Sequence, residues 1–287
     1  MRQLDLFQDS PRTIALNTLR EALLARNAPG ARIALERLLN LDPGHERAGD
    51  AGTLIAVLEA PAPEGPGEGI EWLDALEREW RPAAARLFGT GDGRDFLAPV
   101  WRCIGGALGP RPFDPVHPER NASWAYRQGQ DWENLKRSVL GVPEHETTPV
   151  LLTRLAEAEY RLGDRARAIE HWFALCWLAP AVIQGLVDDP GFPDADVAAA
   201  WNAAQDQDVE PELSPEWFPA WMLLQEPSLA ARLAPRGGND GSRRAFDVVR
   251  DLLTNRANEA RGIALRRELK ALHPALLTGY LDRFAGN

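Results

Sequence analysis

Metal, acid–base or thiol chemistry in this 287-residue chain would fall to five histidines, two cysteines and 42 carboxylates. His45-Glu46 and His145-Glu146 each begin the pair used on a zinc-protease helix, where two His hold the ion and the Glu activates water. Neither has a second His three residues after its Glu. Glu144-His145-Glu146 offers metal-ligand types, but beside Pro143 it reads as a solvated charge cluster in a loop. Cys176 and His171 are five apart in one expected helix, which puts them on different faces. Cys176, between Leu175 and Trp177, reads as a buried packing residue. The stretch GTGDGR (89–94) carries the glycines of a dinucleotide loop, yet Arg94 stands where the last Gly belongs and no strand precedes it. No Gly-Lys-Ser/Thr phosphate loop occurs, and no Ser has Gly two places before it. Asp188, Asp189, Asp194 and Asp196 bracket Pro190 to Pro193 outside the register of a calcium loop, and read as turn and cap residues. These patterns predict no catalytic residue, no metal and no cofactor.

The elements that would position any site are helices. Val, Ile and Thr together number 29, few for a chain built on sheets. Ala, Leu, Arg and Glu fill the stretches between Pro and Gly clusters. Ser10-Pro11 is a helix start, and Ile14, Leu16, Leu19, Ala22 and Leu23 follow at helical spacing to Ala28-Pro29-Gly30. Ile33, Leu35, Leu38, Leu39 and Leu41 repeat the pattern up to Asp42-Pro43-Gly44, and Leu54 to Leu58 supply a third segment. The stretch 61–69 reads as a linker between hairpins at 11–60 and a longer region at 70–287. Ile70 to Phe88 reads as one helix, followed by a Gly-rich turn at 89–93 and a helix around Phe96 to Ile104. Ser214-Pro215 repeats the start signal, a Gly-rich loop spans 236–242, and at least two further helices close the chain. The expected fold class is all-α. Pro and Gly punctuate about a dozen helices, Trp fills the gaps, and the length suits one extended stack of hairpins.

Charge narrows the function classes. The net charge of −10 and pI near 5.1 argue against gripping nucleic acid or anionic lipid by charge alone. Arg236 to Lys270 has nine Lys or Arg against five Asp or Glu. Arg243, Arg244, Arg250, Arg261, Arg266, Arg267 and Lys270 could follow a phosphate backbone, but Asp247, Asp251 and Glu268 favour a solvated, balanced face. The pairs Trp172/Trp177 and Trp217/Trp221 have no interleaved basic residues and read as interhelical core. Two cysteines build no disulfide framework, and residues 1–11 carry no secretory pattern. The apolar run from Trp172 to Val187 is interrupted by Pro180 and short of a membrane span. The expected location is cytoplasmic.

Two patterns point to partners. Ala122, Tyr126, Arg127 and Gly129 recur as Ala156, Tyr160, Arg161 and Gly163, each 34 residues on, and Leu135/Ile169 and Val139/Phe173 follow at the same offset. The stretch LAEAEYRLGDRARAIEHWFALCWLAP (155–180) resembles a tetratricopeptide repeat: Gly163-Asp164 match its turn, with Ala168, Trp172, Leu175, Leu178 and Pro180 behind them. The aromatic of the first helix is one place off the usual position. ALLARNAPGARIALERLLNLDP (22–43) matches only in its second helix and terminal Asp-Pro. The resemblance implies an α-solenoid, a tetratricopeptide-like stack of helical hairpins whose concave face binds a protein or peptide.

The second pattern is Gln3-Leu4-Asp5-Leu6-Phe7. It resembles, at all five positions, the peptide by which bacterial polymerases and repair proteins bind the replication sliding clamp. Chance supplies such a string in roughly one chain in two thousand of this length. By this resemblance Leu6 and Phe7 enter an apolar pocket, Gln3 hydrogen-bonds at its rim and Leu4 packs alongside. The alternative is a hydrophobic staple, with Leu4, Leu6 and Phe7 packed on the first helices. The expectation is a non-enzymatic scaffold or adaptor, recruited to the clamp through residues 1–10, with protein partners and no direct contact to nucleic acid or membrane. The alternative function is a cytoplasmic interaction scaffold unrelated to DNA.

Overall fold

The structure, a computed structural model, describes residues 10–206, 213–235, 237, 240–255 and 259–284. Among the described residues every regular element is helical, with no strand. The chain divides between Val142 and Pro143 into two compact units, where the sequence suggested one continuous stack with a break at 61–69.

In the first unit, α1 (Pro11–Leu24) and α2 (Ala28–Leu41) form a hairpin on which α3 (Ala48–Glu59) packs. Ala15, Leu19, Leu23, Ala31 and Leu38 meet inside it, fully buried. α4 (Pro66–Ala75), a π turn (Leu76–Trp80) and α5 (Arg81–Phe88) run on as the single helix expected from Ile70 onward. It starts earlier than expected: Pro66 takes the first turn and Gly69 is buried against Leu108, so only the front of the 61–69 stretch is irregular. The π turn lies just before Pro82, which lacks an N–H and whose ring would crowd the Arg78 carbonyl in a regular α-helix; Arg81 N–H reaches back five residues to the Leu76 carbonyl. α6 (Thr90–Leu108) corrects the expected turn at 89–93. Gly89 alone turns the chain, at φ 84°, and Thr90 to Gly93 already belong to the helix. α7 (Ala122–Gln128) and α8 (Trp132–Leu140) complete the unit. Tyr126 of α7 lies across Gly105 of α6, where an added Cβ would stand 2.7 Å from the ring.

The second unit starts with a hairpin of α9 (Pro149–Arg161) and α10 (Arg165–Leu178), followed by α11 (Pro180–Val187) and α12 (Ala195–Gln205). α13 (Phe218–Gln225), α14 (Gly241–Thr254), α15 (Glu259–Leu272) and α16 (Pro274–Phe284) then pack each on the one before. Aromatic rings cluster among the aliphatic side chains of its core. Phe173 meets Phe218 and Phe246 edge-on, and Trp201 sits 4.8 Å from Phe218 between ring centres. Trp172 lies between Tyr160 and Phe192, and Trp177 meets Phe246, so these Trp residues are core packing.

Three hairpins share one turn. Arg26, Gln130 and Gly163 adopt positive φ (55°, 54°, 88°), and Asn27, Asp131 and Asp164 follow as N-caps. Each cap's backbone N–H returns to a carbonyl five residues back, at Ala22, Tyr126 and Glu159. Each cap's side chain accepts from the amide three residues on, at Gly30, Asn134 and Arg167. This places Asp131 against Asp164, an offset of 33 and not the 34 read from the sequence. Gly129 is in the right-handed region, at φ −78°, and corresponds to Leu162 at φ −83°; its match with Gly163 is one of type and not of conformation. Burial alone does not separate the two registers, since Leu135 is as buried as both Ala168 and Ile169; the turn geometry does.

Candidate functional site

Gln3, Leu4, Asp5, Leu6 and Phe7 lie outside the described residues. What is described is the point where they join the folded body. The Ser10 hydroxyl oxygen accepts from Thr13 N–H at 3.2 Å and lies 2.7 Å from Thr13 Oγ1, and Pro11 takes the first helical position. Ser10-Pro11 thus starts α1 as its sequence suggests. Arg12 pairs with Asp42 at 3.3 Å, bringing the start of α1 beside the end of α2. Ile14 (44% exposed) and Leu41 (48% exposed) stand at this same end.

The residues tested for enzyme chemistry have local tasks. His45 Nδ1 accepts from Arg47 N–H, fixing the turn before α3. His145 and Glu146 occupy a single 3₁₀ turn after Val142. His171 Nε2 lies 3.0 Å from a carboxylate oxygen of the buried Glu159, linking α10 to α9. Cys176 is fully buried, and burial pushes its thiol well above the usual range, away from nucleophilic use at neutral pH. Asp189 accepts from Gly191 N–H at 2.7 Å, and Asp194 caps α12 by accepting from Asp196 and Val197 N–H. No group of three or more His, Cys, Asp or Glu among the described residues is placed to hold a metal ion. No described helix is long and apolar enough to cross a membrane.

Several basic residues between 236 and 270 are engaged within their unit. Arg244 pairs with Glu268 and Arg261 with Asp251, each as close as 2.5–2.6 Å, Arg250 donates to the Leu233 carbonyl, and Arg243 lies over the Trp177 ring. Sequence reasoning missed the second unit's main polar centre. Arg165 Nε donates to Asp194 at 2.6 Å while Nη1 and Nη2 clasp Glu226 at 2.8 and 3.0 Å, and Asp196 is 3.8 Å away. Glu226, then Asp194, hold the guanidinium pKa above its ordinary value. One cation thereby joins the starts of α10 and α12 to the end of α13. Partners 29 and 61 residues apart leave no local sequence signal.

The arrangement joins capped hairpins to a segment ending in Gln3–Phe7. The polar groups named above serve caps, turns and interhelical ties. Comparison with protein-family models, with curated proteins and with solved structures yields no match.

Proposed function

We propose that the protein is a non-enzymatic helical scaffold, tetratricopeptide-like in its hairpins, that is carried to the bacterial replication sliding clamp by Gln3-Leu4-Asp5-Leu6-Phe7. The single observation that carries the reading is the pentapeptide, complete at five positions. Leu6 and Phe7 are its anchors, burying apolar surface in the clamp pocket, and Gln3 supplies the rim hydrogen bond. Support for the scaffold half comes from the shared turn at Arg26-Asn27, Gln130-Asp131 and Gly163-Asp164, and from the resemblance of 155–180 to a tetratricopeptide repeat. A hairpin protein of this kind presents helix faces to a peptide or protein partner, so the clamp would localise whatever those faces hold. The protein acts in this reading in the bacterial cytoplasm, and any link to DNA runs through the clamp.

Titration of the full chain against purified clamp tests this. The expected outcome is saturable binding, weakened at least about 30-fold by Leu6→Ala with Phe7→Ala, as for the loss of a binding hot spot. A wild-type chain that does not bind, or a double variant that binds equally well, removes the clamp from the reading and leaves an interaction scaffold unrelated to DNA.

A further inference from the structure

We propose that the open end of the α1–α2 hairpin makes a second contact with the clamp, through Ile14 and Leu41, beside the pocket that takes Leu6 and Phe7. This rests on the clamp reading above and adds to it a surface of the folded body. The argument is one of reach. Phe7 and Ser10 are three residues apart, so their Cα atoms can be separated by at most about 11 Å whatever the conformation between them. Ser10 is fixed as the cap of α1 by its bonds with Thr13. With Phe7 held in a clamp pocket, the first turn of α1 must therefore stand close to the clamp surface.

Two large aliphatic side chains lie at that end. Ile14 is one turn into α1 and 44% exposed; Leu41 is the last residue of α2 and 48% exposed. The Arg12–Asp42 pair at 3.3 Å holds the two helix ends together. Leu24 has similar exposure, 42%, but sits at the other end of α1, about 20 Å away along the helix axis. Position relative to Ser10, and not exposure alone, distinguishes Ile14 and Leu41. An apolar contact there adds to the pentapeptide because the first interaction raises the effective concentration of the second.

The test is a clamp titration with full-length chains whose folding is checked by circular dichroism. Ile14→Glu with Leu41→Glu is expected to weaken binding about tenfold, and Leu24→Glu to leave it unchanged. A ten-residue Gly/Ser insertion between Asp9 and Ser10, which alters no residue of the folded body, is expected to weaken binding several-fold by freeing it from the clamp surface. Unchanged binding by the Ile14/Leu41 variant or by the insertion overturns the second contact while the clamp reading stands. Equal loss from Leu24→Glu also overturns it. Absence of binding by the unaltered chain overturns both.

Discussion

The interhelical pairs Arg32–Glu59 and Arg86–Asp50 of the first unit keep their arginines at the surface, whereas the second unit draws Arg165 and Asp194 partly out of water. Arg32–Glu59 and Arg86–Asp50 in the first unit join neighbouring helices with guanidinium groups more than half exposed. In the second, Arg165 is 31% exposed and its partner Asp194 only 2%. The cysteines divide the same way: Cys103 of the first unit is exposed and Cys176 of the second is buried. The difference follows from how the units are closed. In the first unit small residues let α1 approach α2 and α5 approach α6, around aliphatic side chains joined by Phe88, Phe96 and Trp101. The second unit meets through large rings and a short α11, and the capping carboxylate of α12 ends up inside. A carboxylate there needs a fixed cation, and Arg165 provides it.

The largest expected contrast is in thiol chemistry. Iodoacetamide on the native chain is expected to modify Cys103 and leave Cys176 untouched, with both modified in concentrated urea. Because Cys176 reacts only after opening, its native rate is expected to be lower by at least about a thousandfold. Mass spectrometry of digested samples reads this, and comparable native rates would mean that the second unit opens far more easily than its packing implies.

The ion pairs come next. Arg165→Ala leaves Asp194 buried without its cation and is expected to cost about 3 kcal/mol, whereas Arg32→Ala, which removes a solvent-exposed pair, is expected to leave the urea midpoint nearly unchanged. Urea titrations followed by far-ultraviolet circular dichroism compare the two. Added salt sharpens the distinction, since it screens the exposed pair and barely touches the other. Equal costs for the two substitutions would erase the contrast between the units.

What could be read from residues alone tracks the range of the cause. Ser10-Pro11 and Gly163-Asp164 declare themselves within three or four positions, and both were legible because caps and turns are local. The 89–93 glycines misled in the opposite direction: their composition suggests a turn, yet Gly93 enters the helix because it packs against Ala84 of α5, a contact no local pattern carries. The π turn was silent for a related reason, since Pro82 permits several responses in the helix before it. Arg165 was invisible as a centre because Asp194 and Glu226 reach it only through the fold. As for the candidate site, the pentapeptide rests on the sequence alone and lies outside the described residues, and Ile14 and Leu41 read in the sequence as ordinary members of apolar stripes. Their exposure depends on which neighbours cover the open end of the hairpin, and periodicity does not encode that.

The smallest effects concern the turn that both units share, and they test whether Gln130-Asp131 and Gly163-Asp164 are one device. The left-handed residue is glycine in the second unit and Gln130 or Arg26 in the first, so the same geometry carries different backbone strain. A side chain in this region costs about 1–2 kcal/mol, less the roughly 0.4–1 kcal/mol by which glycine loosens the unfolded chain. Gly163→Ala is therefore expected to destabilise by about 1 kcal/mol, and Gln130→Gly to stabilise by about 0.5 kcal/mol, whereas Arg26→Gly would also remove the guanidinium's contacts with the Phe96 carbonyl and ring. Paired urea titrations of the unaltered chain, Gly163→Ala and Gln130→Gly resolve differences of this size when run side by side. Opposite signs for Gly163→Ala and Gln130→Gly would establish the offset of 33, because the 34 register equates Gly163 with Gly129 and assigns Gln130 no strained role. A destabilising Gln130→Gly would break the equivalence and leave the two hairpins alike only in outline.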